Sequence, residues 1–299
     1  MTKKKILFIS DGNDSHSYNT INALSERALE YGHSSFTVTA LGFNMKDASY
    51  RKAFFDQKFD LVVGYVTTDE WLAYLRRKRF PRIILRDVQN IEALTDIHVG
   101  HTREHVITNI NGIGKRKDVT NIPFFPSNWE SKTDRIYECS CISKFPLAEG
   151  FGNCSKLYED IINNVNRVST FGKASYGSNY MGFVDSTVFR SIYHNSVTTL
   201  VNASEYDANI KAINSSVIDA ILGGSIALVE RNRIWHPDVL ELVDEFSSEV
   251  EFTSLLDRYV TMFNESNKAY TSLVDYRRSR LESISEAIYT AFFNIIDCI

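Results

Sequence analysis

Short apolar segments recur along the chain, and turn-forming residues bound each of them. In the first half they read KILFIS, FTVTAL, DLVVGYV, RIILRD and HVITN, at residues 5–10, 36–41, 60–66, 82–87 and 105–109. Helical patterns such as YNTINALSERALEYG lie between several of them. Because the apolar segments lack the polar alternation of a half-exposed sheet, they predict parallel strands covered by helices on both faces.

The same rhythm begins again after a polar segment with two prolines at residues 121–134. Helical patterns again separate the predicted strands, at 135–142, 167–172, 197–203 and 225–231. We therefore expect an α/β protein with two doubly wound, Rossmann-like domains, 1–128 and 129–275, and a helix at 276–299 that packs back across one of them. Ligands of open α/β folds bind at the carboxyl ends of strands, so we expect a site in a cleft between the domains.

The composition is that of a folded protein, with 43% hydrophobic and 12% aromatic residues in a chain of 299. The apolar run after the basic N-terminus is too short for a signal peptide, and no stretch is apolar enough to span a bilayer. We therefore expect a cytoplasmic monomer without a membrane partner. The four cysteines form no C-x-x-C pair, which argues against a zinc site or a disulfide framework and indicates reduced structural thiols.

Positive charge is concentrated in three places although the net charge is −4. The residues concerned are Arg76, Arg77, Lys78, Arg79, Arg82 and Arg86, then Lys115, Arg116 and Lys117, and finally Arg277, Arg278 and Arg280. Such runs form either a surface for nucleic-acid phosphates or ordinary solvated helix faces, and the sequence leaves both open.

Three histidines, His98, His101 and His105, stand close together in the chain. Their spacing suggests a metal site only superficially, because no clear helical pattern brings them to one face. Histidines that contact solvent or an acceptor are the simpler interpretation, so we predict no metal-binding residues.

The loop after the first strand of each half is the place to look for a bound cofactor. The loop SDGNDSHSYN has a single glycine, so it does not fit the G-x-G-x-x-G of a dinucleotide site, and the chain has no P-loop. The loop SKFPLAEGFGNCSK carries Lys144, Gly150 and Gly152 and opens a helix near Asn153. Free N–H groups at a helix start, together with a lysine, suit a diphosphate, and a plain glycine turn is the alternative.

The stretch NSSVIDAILGGSIALVERN, residues 214–232, predicts a helix that ends at a glycine pair and leads into a buried strand. Either Asp207 or Asn209 is expected to cap its start. Asp219 shares a polar face with Ser215 and Ser216. Its carboxylate can accept two hydrogen bonds from a vicinal diol such as a ribose, and a solvated helical acid is the alternative.

An acid followed by three residues and a glycine, leading into an apolar strand, resembles the E-x-x-x-G signature of GT-B glycosyltransferases, in which the acid holds the ribose of a nucleotide diphosphate sugar. Within that class the chain is similar to the DNA β-glucosyltransferases of T-even bacteriophages. The collinear segments that carry this likeness are FDLVVG, IILRDV, VITNINGIGK, NIPFFP, RIYECSCIS, FGNCSK and YDANIKAINSSVIDAILGGSIALVERN, from about residue 59 to 232.

The resemblance implies a role for single residues. Asp87 falls on the catalytic aspartate and Asp219 on the ribose-binding acid, so the first domain would bind the acceptor and the second the nucleotide sugar. The other implied nucleotide-sugar contacts are Ser143, Lys144, Gly152, Asn153, Lys211 and Ser216, and the implied DNA contacts are Arg76, Arg77, Lys78, Arg79, Lys115 and Arg116.

The chain departs from the family pattern at the phosphate contacts. Ser216 stands where the family has an arginine one turn before the ribose acid, and a single lysine replaces the arginines of the diphosphate loop. Lys211, Arg231 or Arg233 would have to compensate, and the spacing does not decide among them.

The implied reaction is transfer of a sugar from a UDP-sugar to a hydroxymethylated pyrimidine, such as hydroxymethylcytosine, in double-stranded DNA. Asp87 would act as general base, the transfer would invert the anomeric carbon, and the target base would flip out of the stack. Mg²⁺ or Mn²⁺ could assist the leaving group, and a viral source would place the protein in the host cytoplasm. The alternatives are a GT-B enzyme acting on a glycan or small molecule and a non-catalytic relative that binds DNA or protein.

Overall fold

The computed structural model divides the chain into two compact units, Met1–Asn128 with Ser285–Ile299 and Trp129–Ile284. It describes residues 3–10, 15–39, 57–65, 73, 75–76, 81–86, 104–108, 119–122, 135–143, 155–172, 177–184, 188–202, 213–234 and 236–299. Among these residues no helix combines the length and the apolarity that crossing a bilayer requires.

The first unit is built on a six-stranded parallel sheet in the order β2-β1-β3-β4-β5-β6. Its elements are β1 Lys5–Ser10, α1 Ser15–Glu30, β2 Ser34–Thr39, β3 Leu61–Tyr65, β4 Arg82–Arg86, β5 Glu104–Thr108 and β6 Val119–Asn121. The central strands are continuous apolar runs because both faces are covered, and Ile6, Leu7 and Phe8 are fully buried. The strand order reverses between β1 and β3, as in doubly wound folds.

The second unit holds another six-stranded parallel sheet, in the order β12-β11-β10-β7-β8-β9. Its strands are β7 Tyr137–Ser143, β8 Val168–Gly172, β9 Tyr180–Gly182, β10 Ser196–Val201, β11 Ile226–Glu230 and β12 Asp244–Phe246. Its helices are α2 Lys156–Asn164, α3 Phe189–His194, α4 Ser215–Leu222, α5 Pro237–Leu240, α6 Glu249–Glu265 and the first part of α7 Asn267–Cys298. The order reverses between β7 and β10, and the two sheets together confirm the doubly wound α/β class.

Two cysteines lie in the core of the second unit. Cys139 and Cys141 lie two residues apart on β7. Both are fully buried and pack among the apolar residues of β10, β11 and α6. Burial raises the pKa of the Cys139 thiol to about 11, which keeps it protonated. These thiols are therefore packing groups, as the sequence predicts.

Several elements differ from the sequence expectation. The strands β6, β9 and β12 were not predicted, since each has only three residues and lies at a sheet edge, where a long apolar run is not needed. The helix α6 was also missed. The helix α7 begins at Asn267, before the Tyr276 start that we expected, and its last part belongs to the first unit.

A partly buried arginine ties two helix ends together in the second unit. The Arg135 guanidinium donates to the carbonyl oxygens of Gly223 at 3.3 Å and Gly224 at 2.8 Å, after α4, and to those of Tyr193 at 3.2 Å and His194, at the end of α3. It also lies 6.0 Å from the Tyr270 ring centre. Because carbonyl oxygens at a helix end carry partial negative charge, the cation stabilises both ends at once.

Replacing this arginine should destabilise the second unit. We expect Arg135→Met to lower the free energy of unfolding by about 3 kcal/mol, because it removes a charged donor that is shared by four carbonyl oxygens at two helix ends. The matched control is Arg167→Met, since Arg167 is 36% exposed and pairs with Glu138 and Asp257 at the surface. That control should cost less than about 1 kcal/mol. Equal losses in denaturant unfolding of the two variants would contradict the role given to Arg135.

A buried histidine lies where α7 packs on the first unit. His33 is 3% exposed, its ring stacks on Phe293 at 6.0 Å, and its Nδ1 accepts from the Lys4 N–H at 3.4 Å. The pKa of His33 is held below its usual 6.5, mainly because burial disfavours the charged ring and also because of Lys4, while Asp297 acts in the opposite direction.

The lowered pKa predicts a pH dependence of stability. As the pH falls, His33 is protonated in the unfolded chain at a higher pH than in the folded chain. The contribution of neutral His33 to the free energy of unfolding should therefore be fully present above pH 6.5 and be lost as the pH drops toward the folded pKa. His33→Phe keeps a ring against Phe293 and removes the titration. In urea unfolding between pH 7.5 and 5, the variant should lose less stability than the wild type. Identical slopes would show that His33 does not cause the dependence.

Candidate functional site

The reversal of strand order in the second unit marks the place where this fold accepts ligands. The chain continues from β7 to α2 and from β10 to α4, and these two connections go to opposite faces of the sheet. In folds of this class, a crevice forms at the carboxyl ends of the two strands where the connections diverge. Those ends are Ser143 and Val201. The described parts of the candidate site are therefore the ends of these two strands and the first turns of α2 and α4.

The start of α4 is fixed by one asparagine. Asn214 is the N-cap, and its Oδ1 accepts from the Ser216 N–H at 2.9 Å while its Nδ2 donates to the Asn202 carbonyl at 3.0 Å. The expected caps Asp207 and Asn209 were wrong, because Asn214 both satisfies the helix start and bonds to the residue that follows β10. This double contact holds α4 at the carboxyl end of β10.

The end of α4 is the glycine stop that the sequence predicts. Gly224 has φ 77°, and the Ser225 N–H reaches the Ala220 carbonyl at 2.9 Å while the Gly224 N–H reaches that of Ile221 at 2.9 Å. This is the Schellman arrangement, in which a left-handed residue ends the helix. The neighbouring Gly223 is required for a different reason, since a Cβ there would come within 2.9 Å of the Tyr193 Cβ.

Asp219 lies buried on α4, at 9% exposure. The solvated alternative is therefore wrong, and a carboxylate this buried is retained only with compensating contacts. One neighbour is the Tyr193 hydroxyl of α3, which hydrogen-bonds with Ser216, one turn before Asp219. Burial first, and the nearby Asp219 charge second, raise the pKa of Tyr193 and keep it neutral.

No pattern in the sequence marks Tyr193 as part of this group. The residue falls in the apolar pattern of α3 and looks like an ordinary core aromatic. Asn202 and Asn214 were equally unmarked, because only the fold brings the end of β10 against the start of α4. Ser216, which was expected near a phosphate, has its side chain bonded to a buried tyrosine.

The start of α2 is a second helix terminus at the same sheet edge. Ser155 caps it, and its Oγ accepts from the Tyr158 N–H at 3.0 Å. The Tyr158 hydroxyl lies 2.6 Å from Cys141 Sγ, which fixes the helix on β7. The other expected diphosphate contacts lie outside the described residues, namely Lys144, Gly152, Asn153 and Lys211, and for Ser143 only the backbone at the end of β7 is described.

Arg231 and Arg233, after β11, are two of the three alternatives for the missing family arginine. Arg231 is half exposed, and its Nη2 lies 3.5 Å from Glu251. Arg233 is 8% exposed, its Nη2 donates to Glu230 Oε1 at 3.2 Å, and burial lowers its pKa. Both arginines follow β11, which is next to β10 in the sheet, and Arg233 is the more buried of the two.

Arg76, expected to contact DNA, is paired within the first unit. Its Nη2 and Nε donate to Glu104 at 2.9 and 3.2 Å, and Arg82 Nε donates to the same carboxylate at 2.8 Å. These hydrogen bonds lower the pKa of Glu104 against the opposing effect of burial, which is the largest influence on it. Arg82 and Glu104 begin β4 and β5, so this cluster lies at the amino ends of the strands, and one carboxylate is shared by two guanidinium groups.

Of the remaining candidate site residues, some have a partner within the protein and the others lie outside the described residues. Arg277 is 7% exposed and donates to Asp244 Oδ2 at 2.8 Å, so it offers no free cationic surface. His105 Nε2 pairs with Thr120 Oγ1 at 2.9 Å. Outside the described residues lie the expected base Asp87, two histidines and five DNA contacts, namely His98, His101, Arg77, Lys78, Arg79, Lys115 and Arg116.

The chain matches no protein-family model, and no curated protein matches its sequence. Solved structures are similar in fold. A bacteriophage T4 β-glucosyltransferase in complex with UDP-glucose has TM-score 0.60 and 12% identity, over 96% of this chain and 99% of that chain. The same T4 enzyme with UDP and Mn²⁺ has TM-score 0.57 and 10% identity, over 97% and 98%.

An α-glucosyltransferase in complex with UDP and a 13-mer DNA containing an HMU base has TM-score 0.68 and 10% identity, over 99% of this chain and 100% of that chain. These likenesses extend over nearly the whole of both chains. They confirm the GT-B fold class expected from the sequence, and the resemblance in fold to the phage DNA glucosyltransferases.

Proposed function

We propose that the protein is a glycosyltransferase that moves a sugar from a UDP-sugar to a hydroxymethylated pyrimidine in double-stranded DNA. The observation that carries the proposal is the buried Asp219 on α4, the described helix that follows β10, where the second sheet reverses its winding. A fold shared over its full length with glucosyltransferases that bind UDP-glucose, or UDP and modified DNA, supports the same reading.

The donor would lie along the carboxyl edge of the second sheet. Asp219 accepts hydrogen bonds from the ribose diol, which are strong because the acceptor is charged. The diphosphate lies at the amino end of α2, where N–H groups and the helix dipole favour an anion, and Lys144 supplies positive charge. This arrangement fixes the leaving group before the acceptor arrives.

The transfer step uses Asp87 as the base. Its carboxylate takes the proton of the acceptor hydroxyl as the oxygen forms a bond to the anomeric carbon. The bond from that carbon to the diphosphate oxygen breaks, and its electron pair leaves with UDP, whose growing charge is stabilised by the α2 terminus and Lys144. A single displacement of this kind inverts the anomeric carbon.

The proposed mechanism uses no divalent ion held by the described residues. Among the residues that the structure describes, no three His, Cys, Asp or Glu side chains converge on a point that would hold one. The described residues therefore do not fit a protein-held metal centre, and the steps above use protein groups in place of Mg²⁺ or Mn²⁺. An ion held by the diphosphate itself would act on the leaving group alone.

One observation favours a second class of acceptor. The net charge is −4, and Arg76, Arg82 and Arg277 are paired with acids rather than presented to a polyanion. A GT-B enzyme acting on a glycan or small molecule would need no cationic acceptor surface. In the DNA proposal, phosphate contacts fall to Arg77, Lys78, Arg79, Lys115 and Arg116.

The acceptor can be identified by release of UDP. With UDP-glucose as donor, we expect UDP release with duplex DNA containing hydroxymethylated pyrimidines and none with the same duplex unmodified. Release should fall steeply between about 50 and 200 mM salt, since phosphate contacts release counterions. Release that needs no DNA would support the second acceptor class, and failure to bind any uridine nucleotide would refute both.

The assigned base can be tested by one substitution. Asp87→Asn keeps the size of the side chain and removes its basicity, so we expect the transfer rate to fall about 100-fold or more with little change in UDP affinity. The anomeric proton coupling of the product, measured by NMR, should report inversion. Full transfer by Asp87→Asn, or a retained configuration, would refute this role.

A further inference from the structure

Tyr193 occupies a confined position between two helices. It is 2% exposed, at the end of α3, and α3 packs against β7, β10 and α4. A Cβ at Gly223 would approach the Tyr193 Cβ to 2.9 Å, so only glycine allows the end of α4 to lie this close. Arg135 binds the carbonyl ends of both helices and prevents them from separating. The Tyr193 side chain is therefore packed closely against the end of α4.

The hydroxyl of this confined ring is directed at the polar face of α4. It hydrogen-bonds with Ser216 and lies close enough to Asp219 to experience its charge. Ser216 and Asp219 are three residues apart on one helix and therefore lie side by side. A neutral hydroxyl held next to a buried carboxylate limits the directions that the carboxylate can take.

We infer that Tyr193 is a positioning residue, which through Ser216 holds the Asp219 carboxylate in the orientation that receives a ribose diol. The inference rests on the proposed function, since it concerns the same nucleotide site. It also gives Ser216 a role that differs from phosphate binding. The chain uses this position to orient the acid rather than to place a cation on the diphosphate.

A purely structural tyrosine would affect stability and leave nucleotide recognition unchanged. The readout must therefore depend on the ribose hydroxyls alone. The ratio of the dissociation constants of 2′-deoxy-UDP and UDP has this property, because the two ligands differ only in the 2′-hydroxyl. A carboxylate that binds both hydroxyls of the diol should favour UDP by about 10-fold or more.

The chain offers a matched control in Tyr259. This tyrosine is 1% exposed, and its hydroxyl donates to Asp244 Oδ2 at 2.7 Å, so it too is a buried tyrosine next to a carboxylate. It belongs to α6 and packs in the core against β10 and β12, and it does not contact Asp219 through any bond that the described residues display. Tyr259→Phe removes the same hydroxyl chemistry outside the nucleotide site.

The experiment is calorimetric titration of the whole protein with UDP and with 2′-deoxy-UDP. Asp219→Asn should reduce the wild-type ratio to about 1, and Tyr193→Phe should bring it within about threefold of that value. Tyr259→Phe should lower the melting temperature and keep the wild-type ratio. A wild-type ratio in Tyr193→Phe, or equal losses in Tyr193→Phe and Tyr259→Phe, would overturn the inference.

Two further outcomes keep the inference separate from the proposed function. A wild type that binds no UDP, or that does not discriminate between the two ligands, would refute the nucleotide site itself and the inference with it. Should Tyr193→Phe fail to fold, Ser216→Ala removes the same hydrogen bond and should lose the ratio, while Ser216→Thr should recover part of it. An unchanged ratio in Ser216→Ala would also overturn the inference.

Discussion

The burial of both faces of a parallel sheet is the constraint on which the rest of the structure depends. Strands without a solvent face need crossover helices on each side, and the winding must therefore change direction within the sheet. In the second unit the change falls between β7 and β10. The connections from these two strands go to opposite faces of the sheet, and in folds of this class that leaves room for a ligand at the carboxyl ends. The positions of α2 and α4 follow from this single reversal.

The position of Asp219 follows from contacts that hold α4 at both ends. Asn214 attaches the start of the helix to the end of β10, and Arg135 with the glycine pair attaches its end to α3. These contacts allow an acid to be buried next to Tyr193 instead of turning to solvent. An ionised group in such surroundings needs hydrogen-bond partners, and a ribose diol would add two donors to those that the protein supplies.

Much of the fold could be predicted because buried parallel strands consist of continuous apolar residues in the sequence. The segments KILFIS and SIALVER correspond closely to β1 and β11. The edge strands β6, β9 and β12 could not be found in this way, since VTN, YMG and DEF have no such pattern. The helix α6 did have a signal, the S-x-x-E of Ser248 and Glu251, and the Ser248 Oγ accepts the Glu251 N–H at 3.2 Å.

The site was predictable only in part. Asp219 could be singled out by its place before a glycine pair, but its neighbour Tyr193 is distant in sequence and could not. The pairing of Arg76 with Glu104 was equally hidden, because a run of arginines has the same sequence signature whether it faces solvent or fills a buried ion pair. A partner that is distant in sequence from a charged residue can be identified only from the fold.

A crystal structure of the protein with bound UDP tests the central claim most directly. The account predicts UDP at the carboxyl ends of β7 and β10, with the ribose hydroxyls at about 2.6–2.8 Å from the Asp219 carboxylate. It also predicts that Tyr193 and Ser216 stay hydrogen-bonded beneath the acid. UDP bound elsewhere, or a ribose that makes no contact with Asp219, would contradict the account.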